Sequence, residues 1–156
     1  MKREVRGVVA GLGLMGALLG VVRQVGATLG GSVDSVATDR KALSAVQGAT
    51  TVRQGYTVRE ITSDATHVRE YVSASGIVFA IAWNGFMPPD LTTLLGSYAA
   101  EYQKALQNTP RQTGVRHQHV EGTRVIVEKW GHMRNLQGRA YVPALMPSGV
   151  SLDEIR

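Results

Sequence analysis

The chain has 156 residues, a net charge of +5 at neutral pH and no cysteine. That length holds one domain with a real core and is too short for two. The missing cysteine excludes disulfides, a lipid-modified cysteine and thioether haem attachment, so the folded part must stand on its apolar core.

The first residues read as a leader. Lys2, Arg3 and Arg6 precede an uncharged apolar run from Gly7 to Val22, and Val25-Gly26-Ala27 offers short side chains where a signal peptidase reads. We expect residues 1–27 to be a signal peptide cleaved after Ala27, with the rest exported across the inner membrane to the periplasm or beyond. An uncleaved leader acting as a membrane tether is the alternative. Against it, the run is shorter than the roughly 20 residues of a spanning helix, and it holds five glycines. Without residues 1–27 the charge falls to +2, because four basic residues and Glu4 leave together. The remaining acids and bases are interspersed, whereas a nucleic-acid binder gathers its basic residues on one face, so no nucleic-acid partner is expected.

Residues 28–54 are expected to form an N-terminal segment with a short helix. Ser32 or Asp34 would start it, Val33, Val36, Ala37, Leu43 and Val46 would line it, and Gly48 would stop it. Residues 55–156 are assigned to a single α+β domain. Tyr56 to Ile61 and Thr66 to Val72 are rich in β-branched and aromatic residues around Ser63-Asp64-Ala65, the composition of a hairpin. Ile77 to Trp83 has no polar residue and predicts a central strand covered on both faces, with Ile77, Phe79, Ile81 and Trp83 on one and Val78, Ala80 and Ala82 on the other.

Leu91, Leu94, Leu95, Tyr98, Tyr102, Ala105 and Leu106 recur at three- and four-residue steps and predict one long amphipathic helix. Pro88, Pro89 and Asp90 suit its start, and Asn108 and Pro110 its end. Gly96 within it is expected to mark a close approach of the helix backbone to the sheet. Three further strands are predicted over Val115–Val120, Thr123–Trp130 and Met133–Val142, then a short terminal turn from Ser151 to Ile155. The expected fold is an antiparallel sheet in the order β-β-β-α-β-β-β packed on that helix, with short helices at the two ends of the exported part.

Several of these stretches carry a family resemblance. Arg69–Trp83 (REYVSASGIVFAIAW), Pro89–Tyr102 (PDLTTLLGSYAAEY) and Gly131 to the end, with Leu29-Gly30-Gly31 and Tyr56-Thr57-Val58, resemble the secreted bacterial family known as domain of unknown function 2844. The resemblance spans nearly all of the chain after the leader. It implies an exported bacterial protein and carries no catalytic residue, cofactor or activity with it.

Four groups of residues offer chemistry. His132, Arg134, Arg139 and Tyr141 lie close in sequence with freeing glycines at Gly131 and Gly138, and together could hold a carboxylate, phosphate or sugar acid. The structural alternative is a turn whose polar residues pair with Glu70, Glu128 or Asp90. Glu70 lies between valines on its strand face, so with His132 it is the candidate general acid or base; an arginine such as Arg59 or Arg134 would instead neutralise it. His117 and His119 would share a strand face as half a zinc or copper site, without an evident third ligand. Trp83 and Trp130, with Tyr98 and Tyr102, could make an aromatic surface for a glycan or peptide, or could simply be core.

The function expected from the sequence is that of a non-catalytic exported module without cofactor. Its partner would be a protein or a small acidic or glycan ligand, because arginine outnumbers lysine ten to three after residue 27. The alternatives are a small hydrolase using Glu70 and His132, and a membrane-tethered structural component of the envelope.

Overall fold

The computed structural model describes residues 29–32, 46–110 and 114–156. Seven antiparallel strands make one sheet: β1 (Val46–Arg53), β2 (Tyr56–Thr62), β3 (Thr66–Ser73), β4 (Val78–Gly85), β5 (His117–Glu121), β6 (Ile126–His132) and β7 (Asn135–Tyr141). Their spatial order is β1-β2-β3-β4-β7-β6-β5. The chain meanders to the centre, crosses one face as helix to the far edge, and meanders back until β7 pairs with β4. The fold is therefore α+β, with one strand more than the sequence reading expects. The extra strand, β1, falls in the segment assigned to a short helix; Val46 begins it, and the rest of that helix assignment lies outside the described residues. All eight residues of β1 are exposed. A strand that buries neither face shows no alternation, so only pairing with β2 reveals it.

The helical stretch runs from Leu91 to Asn108 in two pieces, α1 (Leu91–Leu95) and α2 (Ala99–Asn108), joined by a tight turn at Gly96–Tyr98. Asp90 caps α1 by accepting from the Thr92 amide at 2.9 Å. The break has a backbone cause. Gly96 adopts φ 49°, in the left-handed region open to glycine, and turns the chain there. Leu94, Leu95, Ala99 and Tyr102 then bury against Ile61, Val68, Ile81, Trp83 and Val127. Leu29 joins this core, its amide bonded to the Leu94 carbonyl at 3.0 Å.

The opposite face has its own core of Tyr56, Val58, Tyr71, Phe79, Ala80, Ala82 and Tyr141. The C-terminal segment, from a turn at Pro143–Leu145 to a second at Leu152–Glu154, lies over it and sets Ile155 into it with no exposed surface. Phe79 reaches this face because the β3–β4 register slips between Tyr71 and Val72, which leaves an extra residue on β4. The bulge sets Phe79 and Ala80 on one face, so that Phe79 joins Ala80 and Ala82, and Val78 joins Ile81 and Trp83. A wholly apolar run gives no sign of such a slip.

Candidate functional site

Antiparallel partners share a face, so the register assigns each candidate residue a place. Glu70 stands on the helix side in a row with Arg59, Ile81, Ala140, Val127 and Val120, and it is fully buried. Arg59, one of the two arginines expected to answer it, is its direct neighbour on β2. His132 is not near it. Three strands and five residues along β6 separate them, roughly 20 Å at about 3.3 Å per residue and 4.8 Å per strand. The acid–base pair of the hydrolase reading is not brought together.

The cluster expected around Gly131–Tyr141 is also divided. His132 and Arg134 lie exposed at the β6–β7 turn, where Arg134 takes a positive φ of 85°. Arg139 stands mid-sheet on the face under the C-terminal segment, and its guanidinium is occupied. Nε donates to Glu128, and Nη1 donates to the Leu152 carbonyl at 2.6 Å and the Ile155 carbonyl at 3.4 Å. Tyr141 beside it is buried, which pushes its hydroxyl above the usual value. Arg139 and Tyr141 therefore hold the tail down. Burial pushes the Glu128 carboxyl up, but Arg139 and His119 outweigh it and hold the group below its ordinary value.

His117 and His119 do share a face of β5. His119 Nδ1 lies 3.1 Å from Glu128 and its Nε2 lies 3.8 Å from Glu121; no group of three or more metal-ligating side chains occurs among the described residues. The aromatic surface is split between layers. Trp83 is 3% exposed in the helix-side core, because Gly138 opposite it lacks a side chain and the indole fills that space; a Cβ there would lie 2.3 Å from the ring. Tyr102 is buried on the same side. Trp130 is half-buried on the other face, where the Arg139 guanidinium stacks 5.7 Å from its centroid.

A different set of residues does converge. An open cleft of about 500 Å³ lies on the tail side of the sheet, over β1, β2 and β3, lined by Thr51, Arg53, Tyr56, Val58, Glu60, Arg69, Tyr71, Glu154 and Arg156. Strand alternation points Tyr56, Val58 and Glu60 the same way along β2, and Arg69 and Tyr71 along β3. The C-terminal segment supplies the remaining wall. Ser151 and Glu154 form a capping box, in which the Ser151 amide donates to Glu154 Oε1 at 3.0 Å. Glu154 Oε2 accepts from the Tyr56 hydroxyl at 2.7 Å. Tyr71 donates its hydroxyl to the main-chain oxygen of Arg156 at 3.0 Å and accepts from the Arg156 amide at 3.0 Å, while Arg69 Nη1 donates to the same oxygen.

Three guanidinium groups thus face two carboxylates, and both carboxylates are engaged. Glu60 lies 3.6 Å from Arg69 and 3.7 Å from His67. Glu154 is held below its ordinary value by the Ser151 amide and the Tyr56 hydroxyl. Burial and the bond to Glu154 push the Tyr56 hydroxyl up to about 12. The floor is aromatic, with Tyr56 and Tyr71 centroids 6.0 Å apart. Arg53 lies exposed at the rim of this arginine-lined cleft.

A family model described as protein of unknown function (DUF2844) matches residues 25–155. The chain belongs to that family. No curated protein and no solved structure matches it. The DUF2844 match covers every strand of the sheet and the tail through Ile155, so both faces and all of the cleft lining except Arg156 fall within it. No helix among the described residues is long and apolar enough to cross a membrane. The cleft residues of this DUF2844 chain come from three separate segments. The Arg69-x-Tyr71 alternation on one strand face was the sequence signal for part of it; the wall from Glu154 and Arg156 had none.

Proposed function

We propose that the protein is an exported, non-catalytic binding module that takes an acidic ligand in the cleft beside β2 and β3. One observation carries the reading: Arg53 and Arg156 line a cleft of about 500 Å³ in which Glu60 and Glu154 already have partners and Arg69 is held by Glu60 and the Arg156 main-chain oxygen. The volume suits a small ligand or the end of a larger one. Guanidinium groups offer the paired N–H donors that match a carboxylate, and the tyrosine floor suits the flat underside of a sugar or a peptide bond. The wide separation of Glu70 and His132 supports binding over hydrolysis. Export rests on the leader, and the mass of the protein recovered from the envelope tests it, with Thr28 as the expected first residue.

Calorimetric titration with tetragalacturonate, a short chain of sugar acids, tests the binding. Saturable heat that shrinks as salt is raised is expected. Arg53→Ala, a change at an exposed rim position, should weaken binding about tenfold without altering thermal stability, the loss of one charge-assisted contact. Equal affinity in Arg53→Ala, or no heat from the parent protein at low salt, would remove the acidic-ligand reading.

A further inference from the structure

The tail-side face carries a second row, next to the charged one, whose chemistry is different. Across β3, β4, β7, β6 and β5 the register aligns His67, Asn84, Gln137, Trp130 and His117. The neighbouring row, Glu60, Arg69, Ala82, Arg139, Glu128 and His119, is ionic and largely spent on itself and the tail. The tail stops short of the His67–His117 row, whose first four residues are half-buried and whose His117 is exposed.

From this juxtaposition we propose a binding strip for an extended, uncharged β-1,4-linked polysaccharide chain, laid across the strands with Trp130 as its platform. The row contains no carboxylate, ammonium or guanidinium group. Asn84, Gln137 and His117 both donate and accept, as neighbouring sugar hydroxyls do, while the indole supplies a flat ring and the His67 imidazole is held by Thr62 at 2.9 Å. Trp130 is held in place for stacking: its Nε1 donates to Gln137 Oε1 at 3.2 Å, and Arg139 stacks on its ring. Five strands at about 4.8 Å spacing give the strip a length of roughly 19 Å, enough for several sugar units in a flat ribbon. An acidic polymer is disfavoured here because nothing in the row would neutralise it, and an apolar partner because the row is polar from end to end. The strip adjoins the acidic-ligand cleft at His67, 3.7 Å from Glu60, but does not depend on it.

Tryptophan fluorescence with cellohexaose and chitohexaose tests the strip. Trp83→Phe leaves Trp130 as the sole tryptophan, and its emission should shift to the blue and saturate with one of the two oligomers. Trp130→Ala should weaken binding of that oligomer, read by calorimetry, about tenfold. Asn84→Ala, which leaves the indole and its stacking arginine in place, should weaken it severalfold, and it decides the matter if Trp130→Ala does not fold. Arg53→Ala should leave oligomer binding unchanged, which separates this site from the cleft. No emission shift with either oligomer, or equal affinity in Asn84→Ala and the parent, overturns the proposal.

Discussion

Tyr56 joins the sheet to the C-terminal segment through one hydrogen bond, and that bond and burial together fix how it titrates. The folded protein keeps the Tyr56 proton to about pH 12, against an ordinary value of 10. A group whose affinity for its proton is raised by folding stabilises the folded state below its unfolded value, and that stability is lost as pH rises through the folded value. Between pH 10 and 12 the parent protein should therefore lose stability that Tyr56→Phe does not lose, as followed by urea midpoints across that range. An equal slope in both proteins would show that Tyr56 titrates normally. Single residues were unevenly legible in the sequence. Glu70 between two valines announced its burial. Arg139 was open between a ligand and a carboxylate such as Glu128, which it does bond, whereas its other partners, the carbonyls of Leu152 and Ile155, follow only from the path of the tail. Trp83 was open between a binding surface and the core until the register placed Gly138 against it.

Among the elements, the tail does the work of an eighth layer component without being a strand or a long helix. Ile155 is fully buried against Phe79, Ala80 and Ala82, and the polar bonds of Glu154, Leu152 and Arg156 flank it. Ile155→Ala should cost about 2–4 kcal/mol, the range for removing a buried branched side chain, and the cleft wall should loosen with it. Urea denaturation reads the first effect; an increase in amide exchange at Glu154 and Arg156 reads the second. A change under 1 kcal/mol, roughly that of a surface substitution, would mean the tail does not pack as described. The helix and most strands from Tyr56 onward were legible because burial of one face writes a period into the sequence, and β4 because a wholly apolar run marks a strand buried on both faces. β1 buries none, and the β4 bulge sits in a run where every residue is apolar, so neither leaves a period to read. The helix break at Gly96 was marked by its glycine, whose positive φ turns the chain.

At the scale of the molecule, the sheet is closed on one face and half open on the other. The helix side is shut by α1, α2 and Leu29. The tail side is shut only along its middle, which leaves an arginine-lined cleft toward β1 and a polar strip toward the β6–β7 turn. The α+β architecture could be read from the order of periodic segments, but this asymmetry could not, because it depends on where fourteen residues after Val142 lie. The most direct test is nuclear magnetic resonance of the isotope-labelled protein during titration with tetragalacturonate. The account predicts amide shifts confined to Arg53, Tyr56, Val58, Arg69, Tyr71, Glu154 and Arg156, with α1 and α2 silent. Shifts centred on the His132–Arg134 turn or on the helix face would contradict it, and the acidic ligand would then have to be sought away from the cleft.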